Sequence, residues 1–358
     1  MILGSLKYIK DIHYQTADAF LKAISYGGEL YNVFDHKFIF RGHDSDKYEL
    51  TPYLLRRGIV DSYIPKTANL GEYHSLFCGM DKTIVATEYS ILHSFFDIAD
   101  KNGLYLPNID RLRATLALPL DSKFFAAHEK WLPEEFWEVA ALAQHYGLPT
   151  RLLDWSYDLY VSLYFAAQKI LYANPKSGKE LLEENSKYII EGFRKTRRKE
   201  SEMEVADNIH DEPKIELWAM DYKTLMAESF AGNLKDFQLR IIRPSYSGNP
   251  NLAAQFGLFT LWQIEKLPIL PINENLNFSN PTPLDKLITD FLDRNQVEIA
   301  SPVLYRITLP MSESVAILEF LFNKGYNAAR LFPGYGGVSK AVGDENHLWN
   351  LKANLGQS

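Results

Sequence analysis

Short strand-like segments are scattered along the chain, and stretches with helical periodicity separate them at irregular intervals. The strand-like segments are KFIFRG at 37–42, TRLLDW at 150–155, IELWAM at 215–220, FGLFTLWQI at 256–264 and VLYRITLP at 303–310. Apolar residues at helical spacing predict helices at 13–26, 82–100, 133–145, 157–171 and 312–324. Because strands and helices do not alternate regularly, we predict an α+β fold in which helices surround a β core.

The composition is that of an ordinary globular protein. Hydrophobic residues make up 46% and charged residues 23% of a chain of 358 residues, a length that suits one large domain or two smaller ones. Aromatic residues reach 13%, which fills a core and also suits stacking on flat rings. The net charge of −7 gives no general sign of nucleic-acid binding, although it is compatible with a local basic cleft.

Cysteine content and hydropathy restrict the cellular setting. A single cysteine, Cys78, excludes an intrachain disulfide and a multi-cysteine zinc site, and it fits a reducing compartment. The N-terminal segment has no apolar run of signal-peptide length, and nowhere do 18 apolar residues follow one another. We therefore expect a soluble, cytoplasmic protein with no membrane partner.

The familiar nucleotide and metal motifs are missing. The sequence contains no G-x-G-x-x-G after a strand, no G-x-x-x-x-G-K-[ST], no H-E-x-x-H and no G-x-S-x-G. The glycine-rich GYGGVSK at 334–340 fits none of these spacings. We expect no metal site, and any nucleotide must bind through another architecture.

Arg41 follows the apolar run Phe38–Ile39–Phe40 directly, at the end of a predicted buried strand. A guanidinium in that position needs an anion or several carbonyl groups, because burying it alone is costly. Gly42 leaves room for a ligand or for another backbone segment to approach. Two interpretations remain open: a phosphate clamp, or a salt bridge to Asp44, Asp46 or a more distant carboxylate.

A second polar cluster lies in AQHYGLPTRLLDWS at 143–156, where a helix, a turn and a short strand meet. Arg151 and Asp154 point to opposite sides of the strand and need different partners. Structural roles are favoured for both, with Arg151 pairing across the fold and Asp154 capping the next helix; Ser156 is an alternative cap. His145 is either a satisfied residue at a helix end or a site residue, and Tyr146 and Ser156 stay open as well.

Four motifs together resemble the FRG-domain family, which is named for its phenylalanine-arginine-glycine signature and occurs mainly in bacteria and phages. They are FRG at 40–42, AQHYGLPTRLLDWS with LYFAA after it, AAQFGLFTL at 253–261 and RLFPGYGGVSKAV at 330–342. The resemblance runs from about residue 15 to 345 and implies a single domain over 1–358, with a polar, charged insertion or linker at about 173–214. Gly334 and Tyr335 depart from the aspartate-rich ending that is usual in the family.

A weaker resemblance is to ADP-ribosyltransferases of the arginine-serine-glutamate type. Those enzymes carry an arginine on a first core strand, a serine or threonine at the end of a second, and a Glu or Gln motif near a later one. Arg41, Ser156 and Gln255 follow that order, which implies a mixed or antiparallel β core of the ADP-ribosyltransferase type. The family's final glutamate is replaced by Gly257, so Glu88 is an alternative carboxylate from elsewhere in the chain.

This second resemblance implies NAD as the substrate and no metal. Arg41 would hold the pyrophosphate, with Gly42 and Arg151 also in the cofactor site, and Tyr146 or Phe259 would stack on the nicotinamide. Ser156 would fix a ribose hydroxyl, and Gln255 or Glu88 would stabilise the oxocarbenium-like charge. His145 would bind a ribose hydroxyl or deprotonate the acceptor.

Three functions are therefore compatible with these residues. The first is an NAD-dependent ADP-ribosyltransferase, a bacterial toxin or antiphage effector that modifies RNA or protein and is controlled by an antitoxin protein. The second is a module that binds a nucleotide, an RNA end or a partner protein without turnover, which Gly257 favours. The third is a metal-independent ribonuclease that uses His145 as the base, with Arg151 or Arg41 steadying the phosphate.

Overall fold

A seven-stranded mixed sheet organises the chain in the computed structural model, which describes residues 7–34, 36–56, 59–63, 80–114, 130–172, 213–264 and 281–356. The strand order is β1-β7-β4-β2-β3-β6-β5, and only the β1–β7 pair is parallel. The strands are β1 Ile9–His13, β2 Phe38–His43, β3 Leu152–Ser156, β4 Lys214–Asp221, β5 Leu239–Ile242, β6 Gly257–Trp262 and β7 Leu304–Pro310. A mixed sheet with dispersed helices confirms the predicted α+β class.

Helices of very different lengths surround this sheet. In chain order they are α1 Ala17–Ile24, α2 Ile59–Tyr63, α3 Met80–Lys101, α4 Asp110–Ala114, α5 Trp137–His145, α6 Leu159–Ala167, α7 Tyr222–Phe230, α8 Pro250–Ala254, α9 Leu284–Arg294, α10 Ser314–Asn323, α11 Ala328–Leu331 and α12 Tyr335–Gly356. Short 3₁₀ turns precede α5 at Glu134–Phe136, follow α6 at Gln168–Tyr172 and precede α10 at Met311–Glu313. None of the helices in the described ranges is both long and apolar enough to span a membrane.

Strand β2 is covered by a core on each face. Phe38 and Phe40 pack in a cluster with residues of α1, α6 and α10, whereas Ile39 packs in another with residues of α7 and α9. Successive side chains of a strand point to opposite faces, so a continuous apolar run is what burial on both faces requires. The prediction that this segment is buried on both faces is confirmed.

The start of α6 and two edge strands differ from the sequence-based prediction. Asp158 caps α6, because its Oδ1 accepts a hydrogen bond from the Tyr160 N–H at 2.8 Å, so neither Ser156 nor Asp154 is the cap. Strands β1 and β5 were not predicted. Each has only four or five residues and lies at an edge of the sheet, where the hydrophobic pattern in the sequence is weak.

Most of the predicted insertion, and Cys78, lie outside the described residues.

Candidate functional site

A cavity of about 440 Å³ opens where β2 and β3 diverge. The two strands share one residue pair, Phe40 with Ser156, whereas β2 pairs with β4 through six residues and β3 pairs with β6 through five. Beyond that single pair, the two strands leave a gap in the sheet. The lining brings together Arg41, Gly42, His145, Ser156 and Gln255 from the predicted site, and adds Phe40, His43, Asp44, Tyr48, Arg56, Gln144, Asp154, Trp155, Val161, Ser162, Phe165 and Phe332.

Arg41 reaches across this gap. Its Nη1 donates to the backbone oxygen of Asp154 at 2.6 Å and lies 3.5 Å from the carboxylate Oδ2 of the same residue. The Arg41 side chain is 15% exposed and the Asp154 side chain 55% exposed, so the pair lies at the cavity wall and not in the core. Of the predicted salt-bridge partners, the more distant carboxylate is the one found, and Asp44 pairs with Lys169 instead. In the described part of the chain, Arg41 Nη2 makes no hydrogen bond.

His43 holds the Nε–H group of Arg41. The Arg41 Nε–H donates to His43 Nε2 at 3.0 Å, and His43 Nδ1 lies 2.9 Å from Glu216 Oε2. Because Nε2 accepts, the proton of the neutral ring is on Nδ1, which donates to the carboxylate. Glu216 also accepts hydrogen bonds from Trp218 Nε1 at 2.7 Å and from Arg306 Nε.

Burial lowers the pKa of His43, and the nearby charge of Arg41 lowers it further, while the bond to Glu216 raises it. The net lowering keeps the imidazole neutral at pH 7. Sequence reasoning missed His43 and Glu216. Of the two, only His43 could have been predicted from the sequence, because it lies two residues after Arg41 and therefore on the same face of the strand.

His145 faces the cavity from the end of α5. Burial lowers its pKa, and the Asp154 carboxylate opposes that change. Its ring makes no hydrogen bond to another described residue, and it lies in the last turn of α5, so both interpretations of His145 stay open. The preceding residue, Gln144, donates from Nε2 to Asp154 Oδ2 at 3.1 Å and so helps to place that carboxylate.

Ser156 and Gln255 are already engaged within the fold. The Ser156 hydroxyl donates to the backbone oxygen of Gln255 at 2.7 Å and accepts from the Asp158 N–H at 2.9 Å. The Gln255 side-chain amide donates to the backbone oxygen of Leu331 at 3.1 Å. Both residues therefore shape the cavity, and either must exchange a present partner before it can contact a ligand.

Gly42 and Gly257 each make room for the protein itself. A Cβ at Gly42 would lie 1.9 Å from the backbone oxygen of Ser162 in α6, so the missing side chain lets that helix pack on β2. A Cβ at Gly257 would lie 2.3 Å from Leu252 Cδ1. The room at Gly42 is thus filled by another backbone segment and not by a ligand, and Gly257 has no space for a glutamate without movement of Leu252.

Glu88 and Arg151 form a buried ion pair outside the cavity. Arg151 Nε donates to Glu88 Oε2 at 2.8 Å, its backbone N–H donates to Oε1 at 2.8 Å, and Trp131 Nε1 donates to Oε2 at 2.6 Å. The side chains of Glu88 and Arg151 are 0% and 5% exposed. This confirms the prediction that Arg151 pairs across the fold, and it corrects the proposed site by removing both side chains from the cavity.

The two aromatic residues predicted to stack on a ligand also lie elsewhere. Phe259 is buried in the core beneath α3 and α5, and Tyr146 is exposed and lines a different surface cavity. The aromatic lining comes instead from Phe40, Tyr48, Trp155, Phe165 and Phe332. Their spread over five elements and loops explains why no single sequence motif predicted them.

Comparison with known protein families finds a match over part of the chain. Residues 36–175 match the model of the FRG domain, a span that begins just before β2 and ends after α6. No curated protein and no solved structure shows significant similarity to the chain. The matched span contains Arg41, His145 and Ser156 but neither Gln255 nor Glu216. The predicted resemblance to the FRG-domain family is therefore confirmed over residues 36–175.

Proposed function

We propose that the chain is an NAD-dependent ADP-ribosyltransferase-like enzyme. The observation that carries the proposal is the convergence of Arg41, Ser156 and Gln255 on one cavity, supplied by the neighbouring strands β2 and β3 and by the residue that leads into β6. This is the arrangement that the resemblance to ADP-ribosyltransferases requires, because their arginine, serine and glutamate motifs act on one nucleotide. An ADP-ribosyltransferase-like type of β core is part of the same proposal.

The charges of the cavity suit a pyrophosphate. Arg41 has an unused Nη2, and Arg56 at the rim donates only to the backbone oxygen of Thr51 among the described residues, with no carboxylate partner there. Two guanidinium groups around one cavity are typical of phosphate recognition, since each offers a planar fork of donors. The cavity volume of about 440 Å³ lies within the range of small-molecule sites.

The reaction uses groups that line the cavity. The bond between nicotinamide and ribose breaks, and its electron pair moves to the ring nitrogen, so that neutral nicotinamide leaves. Asp154 stabilises the oxocarbenium-like charge in place of Glu88, which is buried elsewhere. The acceptor atom then bonds to the ribose carbon, and neutral His145 takes the acceptor proton.

The biological setting of the proposal follows from the family resemblance alone. The acceptor would be a macromolecule, either RNA or protein, inside a bacterial cytoplasm. The enzyme would act as a toxin or as an antiphage defence effector, and an antitoxin protein would control it.

A second candidate function is nucleotide binding without turnover. Gly257 favours it, because the position that matches the catalytic glutamate has a neighbour, Leu252, in the space that a side chain needs. Such a module would bind NAD or ADP-ribose in the same cavity and would release no nicotinamide.

The test is to incubate purified protein with radiolabelled NAD and a total cell lysate, followed by protease or nuclease. We expect label in a macromolecule that one of the two treatments destroys. Arg41→Lys and Arg41→Ala should each lower the transfer rate by at least about 100-fold, because a lysine cannot reproduce the fork that binds the pyrophosphate. The matched control is Arg294→Lys on α9, outside the cavity.

The outcomes separate the candidates. Full activity of Arg41→Lys would contradict the phosphate-clamp role. Binding of NAD without nicotinamide release would favour the binding module, and RNA cleavage without NAD would favour the ribonuclease.

A further inference from the structure

A continuous row of hydrogen-bonded polar groups crosses one face of the sheet and ends at the cavity. It runs from Arg306 on β7 to Glu216 on β4 and to His43 and Arg41 on β2. The strand register supports it, since Arg41 lies opposite Trp218 and His43 lies opposite Glu216. Glu216 and His43 are buried, whereas Arg41 reaches the cavity. The row therefore connects the partly exposed Arg306, through two buried groups, to the Arg41 side chain that lines the cavity.

The orientation of Arg41 depends on an acceptor at its Nε. Nη1 is held by Asp154 on one side of the gap, and His43 Nε2 holds Nε on the other. With both ends fixed, the plane of the guanidinium is set and Nη2 is left for a ligand. A planar fork that is already oriented loses less conformational freedom when it binds an anion, so its affinity for phosphate is higher.

We propose that His43 is a positioning residue for anion binding, and that it must be neutral and held by Glu216 in order to aim Arg41 into the cavity. This inference deepens the proposed function, because the anion it concerns is the pyrophosphate of ADP-ribose.

Protonation of His43 would break the arrangement. The ring would then carry a hydrogen on Nε2, which would face the Nε–H of Arg41 at a distance of 3.0 Å and put two cations side by side. Burial lowers the pKa of His43, so the neutral form is present at pH 7 and is lost as the pH falls below the ordinary range of histidine. Among the residues that the structure describes, the titratable and charged groups that face the ring are Arg41, Tyr48, Arg56 and Glu216.

The experiment measures the affinity for ADP-ribose by calorimetry from about pH 8 to about pH 5, a range that spans histidine titration. ADP-ribose suits it because its pyrophosphate diester keeps its charge over this range. The variants are His43→Gln, which keeps a neutral acceptor at every pH, and His43→Ala, which has none. His347→Gln on α12 is the matched control, because it makes the same change outside the cavity. A thermal melt at each pH confirms that every variant is folded.

We expect wild-type affinity to fall about tenfold on acidification, the size expected for one charge-assisted hydrogen bond. His43→Gln should bind near the wild-type level at neutral pH and lose this acid dependence. His43→Ala should bind about tenfold more weakly even at neutral pH. His347→Gln should follow the wild type.

Three results would overturn the inference: the same pH profile in His43→Gln as in wild type, wild-type affinity that rises in acid, or no binding of ADP-ribose by the wild type. Nicotinamide release from NAD is assayed separately. If it is absent while ADP-ribose binding depends on His43, the transferase proposal fails and the role of His43 stands. If nicotinamide is released, and the pH profile of this release is the same in His43→Gln as in the wild type, the transferase proposal stands and the role of His43 fails.

Discussion

Three consecutive residues, Phe40, Arg41 and Gly42, have three different roles. Phe40 packs in the core between the sheet and α6, Arg41 points into the cavity, and Gly42 lets the backbone of α6 approach. The sequence predicts the first two roles, because an apolar run followed by an arginine indicates a strand with a charged end. The third role could not be assigned to a helix, since Ser162 is 120 positions away in the chain and only tertiary packing places it there.

Gly42→Ala should destabilise the fold by about 3 kcal/mol, near the upper end for an overpacked core. The added Cβ would lie 1.9 Å from the Ser162 oxygen, so α6 must shift away from β2. Urea unfolding measures the loss. The matched control is Gly343→Ala on α12. An added Cβ there would meet no heavy atom of another part of the protein within 4 Å, so this change should be neutral or slightly stabilising. Equal stability of the two variants would contradict the packing role of Gly42.

Glu88→Gln should destabilise the protein by about 3 kcal/mol, because it leaves the buried guanidinium of Arg151 without its counter-ion. It should leave the affinity of the folded protein for ADP-ribose unchanged, since neither residue lines the cavity. Urea unfolding and calorimetry test the two parts. A folded Glu88→Gln protein that had lost binding would put Glu88 back into the functional site.

At the scale of elements, the divergence of β2 and β3 creates the cavity, and α6 fixes the strands around it. Asp158 joins α6 to the C-terminal part of the chain, because its Oδ1 caps the helix and its Oδ2 accepts from the Tyr326 hydroxyl at 2.7 Å. One side chain thus determines both where α6 begins and how it contacts the loop before α11.

Asp158→Ala should destabilise the protein by about 2 kcal/mol, which combines the loss of a helix cap with that of a second hydrogen bond. Asp158→Asn is the matched control, because asparagine is also a good N-cap and should cost less than half as much. Thermal or urea unfolding measures the stability loss of each variant. If both variants were as stable as the wild type, Asp158 would not be holding the start of α6.

Sequence patterns predicted the central strands and the helices α3, α5, α6 and α10, but not the 22-residue α12 and only part of the cavity lining. Arg41, His145, Ser156 and Gln255 were found because they lie in dense local motifs at the ends of elements. Glu216, Arg56, Tyr48 and Phe332 were not, since they reach the site or its supporting row by pairing across the sheet or from distant loops. The prediction that Tyr146 or Phe259 stacks on a ligand was wrong about their positions. Tyr146 is exposed beside another cavity and Phe259 is buried in the core, and neither position could be derived from the local sequence.

At the scale of the whole molecule, the matched FRG span does not contain all the walls of its own cavity. Strand β2 pairs with β4 and β3 pairs with β6, and both partners lie outside residues 36–175. Gln255 and Phe332 line the cavity from the later part of the chain. The part of the chain that forms the cavity is therefore larger than the span that the family model matches.

A fragment limited to residues 36–175 should not fold on its own. It would expose the edges of β2 and β3 and would lack most of the buried residues of the two core clusters that cover the faces of β2. We expect no cooperative thermal transition by circular dichroism, whereas the full chain should show one. Cooperative unfolding of the fragment would mean that the later strands are not needed for the FRG domain to form.

The most direct test of the central claim, that the gap between β2 and β3 is a nucleotide site organised by Arg41, is a crystal structure with an NAD analogue that resists cleavage. We expect the pyrophosphate to lie within hydrogen-bond distance of Arg41, with His43 still bound to Glu216 and a ring of the ligand against Tyr48, Phe165 or Phe332. An analogue bound elsewhere on the protein, with this cavity empty under saturating conditions, would contradict it.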